Sequence, residues 1–189
     1  VRRAAAGSFI GNFVEWFDYA AYGYLATVIA SVFFPSEDRT TALMSTFAVF
    51  AISFFIRPVG GVIWGHIGDR IGRRDALSLS ILIMSGSTFV IAFLPSYDMV
   101  GIWAPVLLLL VRLVQGFSAS GEYAGASAFI AEYAPPKKRG LYTSLVPAST
   151  AVGLLFGSLL VAWMHTVLTP EQMHEWGWRL PFLLAAPFG

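Results

Sequence analysis

The sequence predicts an all-α membrane protein, a bundle of packed spanning helices. Three observations carry that prediction. Of the 189 residues, 57% are hydrophobic and 12% are charged, with a mean hydropathy of +0.69, whereas soluble domains run near half apolar and a quarter charged. The apolar residues gather into runs that suit a hydrocarbon core of ~30 Å, which takes about 20 residues of helix to cross. Basic residues between those runs concentrate in every second loop, and so on one side, as the positive-inside rule requires.

The first span is read near residues 5–34 and contains "GNFVEWFDYAAYGY" at 11–24, with Glu15 and Asp18 inside it. Arg2 and Arg3 precede it, but a run carrying two acids and continuing to Phe34 is too long and too charged for a signal peptide. "FPSEDRT" has turn chemistry and separates it from a second span near 41–67. "GDRIGRRD" leads to a third near 76–94, "LPSYDMVG" to a fourth near 102–131, and "APPKKRG" to a fifth near 142–168. After "TPEQMHEWGW" a sixth opens at Trp178 and reaches Gly189, too few residues to cross. Because the chain starts at Val1 and its sixth span is incomplete, it is expected to be a fragment.

Placing the N-terminus in the cytoplasm puts Arg2, Arg3, Arg70, Arg73, Arg74, Lys137, Lys138 and Arg139 inside. Arg39 and Arg179 then fall outside, and Arg57 and Arg112 fall within spans. The opposite topology breaks the rule in every loop. Gly7/Gly11, Gly61/Gly65, Gly121/Gly125 and Gly153/Gly157 are G-x-x-x-G pairs that let helix backbones approach closely. Four such pairs favour a compact bundle over separate anchors.

A net charge of +1 argues against nucleic acid as a partner. With no cysteine there is no disulfide framework, thiolate metal site or cysteine nucleophile. His66, His165 and His174 are scattered and form no metal spacing. "GHIGDRIG" misses both the G-x-G-x-x-G and the P-loop spacing, and "GFSAS" at 116–120 is not a G-x-S-x-G elbow. No cofactor, metal or enzymatic role is expected.

In the first span Asn12, Glu15, Asp18 or Tyr19, and Tyr22 recur every three or four residues, which predicts one polar helix face. An acid near the bilayer centre costs roughly 3 kcal/mol on insertion scales, so that face must meet protein or water. Glu15, Arg57 and Glu122 each lie about ten residues, or ~15 Å, from the cytoplasmic end of their span, with Asp18 a turn deeper. Arg112 and Glu122 share the fourth span, with Gln115 and Ser118 between them. Two readings stay open: a static ion-pair cluster that locks the bundle, or a polar cavity in which an acid changes partner or protonation.

"GHIGDRIGRR" at 65–74 resembles the signature loop of the major facilitator superfamily, and "RLVQG" at 112–116 resembles that superfamily's motif in span four. "GNFVEWFDYAAYGY", "IRPVGG" at 56–61, "GEYAGAS" at 121–127, "PPKKRG" at 135–140 and "WGWRLPF" at 176–182 are similar, in order, to the metabolite:proton symporter family. "TFAVFAISFFIRPVGG", "IMSGSTFVIAFLPSYDMVGIWAP" and "QGFSASGEYAGAS" are most similar to its osmoprotectant branch.

The resemblance implies the N-terminal six-helix bundle of a twelve-helix transporter, its sixth helix truncated and its C-terminal bundle absent. It further implies alternating access between the two bundles and an inverted repeat in which spans one and four correspond. The expected activity is proton-coupled symport across the cell membrane of a small metabolite, an osmoprotectant such as proline or glycine betaine. A dicarboxylate or shikimate-like acid is the alternative, and a non-transporting bundle, sensor or scaffold is the reading from another class. Gly157 is followed by Ser158 where drug antiporters of the superfamily carry Gly-Pro, which favours symport. Asp18, Arg112 and Glu15 are the candidates for proton coupling. Asn12, Glu15, Tyr22, Arg57, Gln115 and Glu122 are the candidates for the substrate cavity. Gly65, Asp69, Arg70, Gly72, Arg73 and Arg74 would form the gating loop. The expected partners are protons, a small solute, the lipid bilayer and the missing bundle.

Overall fold

The computed structural model describes residues 2–121, 134–185 and 187. Among them every regular element is helical and there is no strand. Glu122, Gly125 and the remainder of the expected fourth span lie outside the described residues.

Helix α1 (Arg2–Tyr24) and helix α2 (Ala26–Phe33) form the first span. Leu25, at φ −90° and ψ 5°, bends the helix without breaking its ladder. Its N–H donates to Ala21 O over 2.9 Å, and Ile29 N–H donates to Leu25 O over 2.9 Å. Asp38 caps the next helix, α3 (Arg39–Phe55), by accepting from Thr40 N–H at 3.0 Å. A single residue, Ile56, separates it from α4 (Arg57–Ile71). Pro58 explains the bend there: it has no N–H for the preceding turn, and its ring clashes with that turn's carbonyl.

Helical structure runs from 39 to 71, beyond the expected 41–67, and the expected loop at 65–74 is therefore almost all helix. Gly65, Asp69 and Arg70 lie on α4, and Arg73 and Arg74 open α5 (Arg73–Ile91). The connection is Gly72 alone, at φ +96°, a conformation that glycine adopts without a Cβ clash. A short α6 (Tyr97–Val100) and Gly101, at φ +60°, lead into α7 (Trp103–Ala119). The fifth span begins with a 3₁₀ turn, Pro136–Lys138, and α8 (Arg139–Thr143), then runs through α9 (Leu145–Val167). A capping box between Thr169 and Gln172 starts α10 (Pro170–Glu175). A 3₁₀ turn, Gly177–Arg179, then leads into α11 (Leu180–Ala185).

Among the described residues, three helical stretches are long and apolar enough to cross a membrane: Arg39–Ile71, Arg73–Ile91 and Pro136–Val167. Their outer faces expose Met44, Phe55, Val62, Leu82, Phe156 and Trp163. Apolar surface on that scale suits lipid rather than water. Inside, Leu25, Ile29, Phe33, Ile91, Leu108 and Met164 form one core with Trp178 and Phe182. Trp178 meets Phe33 edge to face at 5.4 Å, so the 177–185 segment packs into the core beside α2.

A close helix approach, α1 against α9, is made by Gly153 and Gly157. A Cβ on either would lie 2.7 Å from α1, at Phe13 O or at Ala20 Cβ. Of the other expected pairs, Gly121 does come close to α4, where a Cβ would lie 3.0 Å from the Trp64 side chain, while Gly125 lies outside the described residues. Gly7, Gly61 and Gly65 meet nothing within 4 Å among the described residues. Contact with α7 is made instead by Gly60, one residue before the expected Gly61, and Gly116 of α7 packs against the Ser53 carbonyl of α3.

Candidate functional site

The polar interior is built from α1, α3, α4, α5 and α7. Asp18 and Arg112 form an ion pair between α1 and α7, and both are buried, at 2% and 1% exposure. Arg112 Nη1 also donates to Gln115 Oε1 at 2.8 Å, one turn along its own helix. Gln115 Nε2 donates to Thr88 Oγ1 of α5 at 2.7 Å. The Thr88 hydroxyl gives its proton to Met84 O at 3.1 Å, so it accepts from Gln115. The guanidinium carbon of Arg112 lies 4.0 Å from the centre of the Tyr22 ring, and the Tyr22 hydroxyl donates to Thr46 O at 2.8 Å. Asp18 is therefore tied through one arginine to three other elements, α3, α5 and α7.

A second ion pair, Glu15 with Arg57, joins α1 to the start of α4. Tyr19 donates to Glu15 Oε1 at 2.9 Å. The Arg57 guanidinium faces two rings, Phe54 at 4.6 Å and Tyr19 at 5.5 Å. Glu15 is buried, while the Arg57 side chain is 26% exposed. Glu15, Asp18, Thr88 and Gln115 line a common void of about 10 Å³, room for one water. Among the described residues, Asp18 Oδ1, Arg112 Nε, Arg112 Nη2 and Arg57 Nε are buried without a hydrogen-bond partner.

The structure thus brings together Glu15, Asp18, Tyr22, Arg57, Arg112 and Gln115. Asn12 is not among them. Its amide donates to Val146 O, Ser149 Oγ and Thr150 Oγ1 at 3.0, 2.8 and 2.8 Å, which sets it in the α1–α9 interface. The reason is rotation: three residues of α-helix turn through about 300°, so each such step drifts about 60° around the axis. Asn12 and Asp18 therefore point about 120° apart, and the expected single face divides in two. Glu122 lies outside the described residues.

Sequence reasoning missed Thr88, Tyr19 and Phe54 as partners of the charged pairs. Ser80, Met84 and Thr88 are buried at four-residue intervals on α5, and that spacing was the available signal for Thr88. At the far end of α4, Gly65, Asp69 and Arg73 line a separate cavity of about 510 Å³ with Trp64, Ser80 and Ser120. Arg70 sits in the last turn of α4, where the helix dipole favours a cation. Arg73 and Arg74 sit at the N-terminus of α5, where it does not, so helix stability alone does not explain them.

The description "Sugar (and other) transporter" fits residues 4–189. The chain is 44% identical over all 189 residues to the proline/betaine transporter of Salmonella typhimurium. It is 45% identical, again over its whole length, to the glycine betaine/proline/ectoine/pipecolic acid transporter of Dickeya dadantii. It spans 38% of the length of each of these proteins. Among solved structures, the partially occluded, inward-open xylose transporter XylE of E. coli superposes with a TM-score of 0.84 at 18% identity. That match covers 97% of this chain and 45% of the other. The fold is that of one half of such a transporter.

Proposed function

The chain belongs to the sugar (and other) transporter family of the major facilitator superfamily, and on that premise we propose that it works as the first of two bundles of a proton-coupled symporter for a small osmoprotectant such as proline or glycine betaine. The observation that carries the reading is the sealed Asp18–Arg112 pair beside a void shared with Glu15. A buried ion pair is poor glue, since apolar side chains of similar size often hold a fold as well or better. A carboxylate whose partner can leave it, and which has an oxygen unused, can take up and release a proton.

In this reading Asp18 carries the proton and Arg112 holds the ionised form. Gln115 keeps Arg112 in place while Asp18 is neutral. Arg57, which is part-exposed, and its buried partner Glu15 face the solute. The N-terminus is cytoplasmic, which places the turn at Gly72 and the cavity beside Asp69 inside the cell. There the end of α4 and the start of α5 meet the second bundle and act as a gate. The test is uptake of labelled glycine betaine and proline by the full-length transporter that carries these 189 residues as its first bundle. Concentrative uptake that collapses with a protonophore is expected. Uptake indifferent to the protonophore would refute proton coupling, and no uptake of either solute would favour a dicarboxylate or a structural bundle.

A further inference from the structure

The two arginines of the interior are held differently. Arg112 is sealed in, whereas Arg57 sits at the rim with its cation against an acid and two aromatic faces. Those three groups form a shape of their own. The rings of Tyr19 and Phe54 lie 5.5 Å apart at 45°, and the Tyr19 hydroxyl fixes Glu15 by its bond to Oε1 at 2.9 Å. Phe50 backs both rings at 5.2 Å. Phe54 is 38% exposed, so this aromatic wall opens at the surface of the bundle.

We propose that Glu15, Tyr19 and Phe54 form a subsite for a quaternary ammonium group, occupied in this state by the guanidinium of Arg57. The inference rests on the osmoprotectant reading and gives it a chemical basis. A quaternary ammonium has no N–H and cannot be recognised by hydrogen bonds. It needs a negative charge and the electron-rich faces of aromatic rings. Arg57 already uses this position as such a cation would. Displaced from the subsite, it can turn the edge carrying Nε, unpaired among the described residues, toward the carboxylate of the same ligand. A planar guanidinium is suited to that contact. A zwitterion of this size would thus insert between Arg57 and Glu15, each end replacing one partner of the present pair. Proline differs in one respect: its ammonium keeps N–H donors and can bond to Glu15 directly, so it depends less on the rings.

The full-length transporter carrying these residues tests this by its KM for glycine betaine and for proline, measured for the unaltered protein, Phe54→Leu and Phe54→Trp. Phe54→Leu is expected to raise the KM for glycine betaine about tenfold, the size of a partly desolvated cation–π contact, while that for proline moves less than about twofold. Phe54→Trp, the better ring, is expected to keep or lower the glycine betaine value. Equal shifts for the two solutes, or none, would overturn the subsite while leaving the transport reading standing. If Phe54→Leu abolishes all uptake, Phe54→Trp decides, and a rise in its glycine betaine KM relative to proline overturns the proposal. Absence of uptake of both solutes by the unaltered protein overturns the functional reading, and the subsite with it.

Discussion

Gln115 donates its amide proton to Thr88 over 2.7 Å, and because the Thr88 hydroxyl is committed to Met84 O, that bond decides which end of the amide meets Arg112. The carbonyl end does, at 2.8 Å. Thr88→Val removes the acceptor and leaves a buried N–H unpaired, at a cost of about 1–3 kcal/mol. The freed amide can then turn its N–H toward a cation. Thermal unfolding in detergent is expected to show that loss. Concentrative uptake should fall about tenfold for each 1.4 kcal/mol of lost positioning. Thr88→Ser, which keeps the hydroxyl, should restore both. Normal uptake by Thr88→Val would remove Thr88 from the site.

Gly153 and Gly157 set the spacing of α1 and α9, and the atoms in the way of a Cβ are largely backbone. At Gly153 these are Phe13 O at 2.7 Å and Phe17 N at 3.0 Å; at Gly157, Phe17 O at 2.9 Å. Backbone inside a packed helix cannot step aside, so alanine at either position should cost about 1–3 kcal/mol. Gly86, in the middle of α5 with nothing within 4 Å among the described residues, makes the contrast. Alanine there should gain roughly 0.5–1 kcal/mol from backbone entropy. The ordering of the three melting temperatures is the measurement. A melt for Gly153→Ala at or above that of Gly86→Ala would contradict the packing.

These glycines also mark how far the sequence could be read. The spacing of Gly153 and Gly157 announced a close helix approach, and one exists. The same spacing at Gly61 and Gly65 did not, because the contact residue is Gly60. A shift of one residue turns the helix by about 100°, and a spacing rule carries no information about which way a helix faces. The charged pairs were legible because equal depth in the membrane limits the partners an intramembrane charge can find. Asn12 was not, since the drift of a three-residue step is invisible until the neighbouring helix is in place. Thr88 carries no charge and had no reason to stand out. The turn at Gly72 was read as a loop because its residues are polar and glycine-rich, yet one residue at positive φ suffices to reverse the chain.

Outside the spans, the carboxyl of Asp38 is held below its ordinary value of 3.8, chiefly by the Thr41 hydroxyl and then by the N–H of Thr40. A folded-state pKa below the unfolded one means the cap stabilises fully above the ordinary carboxylate range. The contribution fades as pH falls through 3.8 and on through the lower folded value. Asn accepts the same bonds without a charge, so its cap should not vary with pH. The difference in melting temperature between the unaltered protein and Asp38→Asn should therefore shrink between about pH 6 and pH 3. A difference that stays constant over that interval would show that the carboxylate charge contributes nothing to the cap.

The two acids of α1 should separate by assay, because their arginines are held so differently. Asp18→Asn leaves Arg112 charged at 1% exposure without its partner, a loss of about 3–5 kcal/mol in a buried pair, so the amount inserted in the membrane must be measured first. Normalised to that amount, Asp18→Asn should lose proton-driven accumulation and keep solute counterflow, since exchange needs no net proton movement. Glu15→Gln should weaken both together, because its partner Arg57 and the ring of Phe54 are open at the rim where a solute would arrive. The comparison is informative in each direction. Accumulation retained by Asp18→Asn but lost by Glu15→Gln would assign the proton to the outer pair, with Arg57 as its holder. Normal accumulation by both would mean that the pairs serve the bundle as structure, in spite of the poor energetics of buried charge.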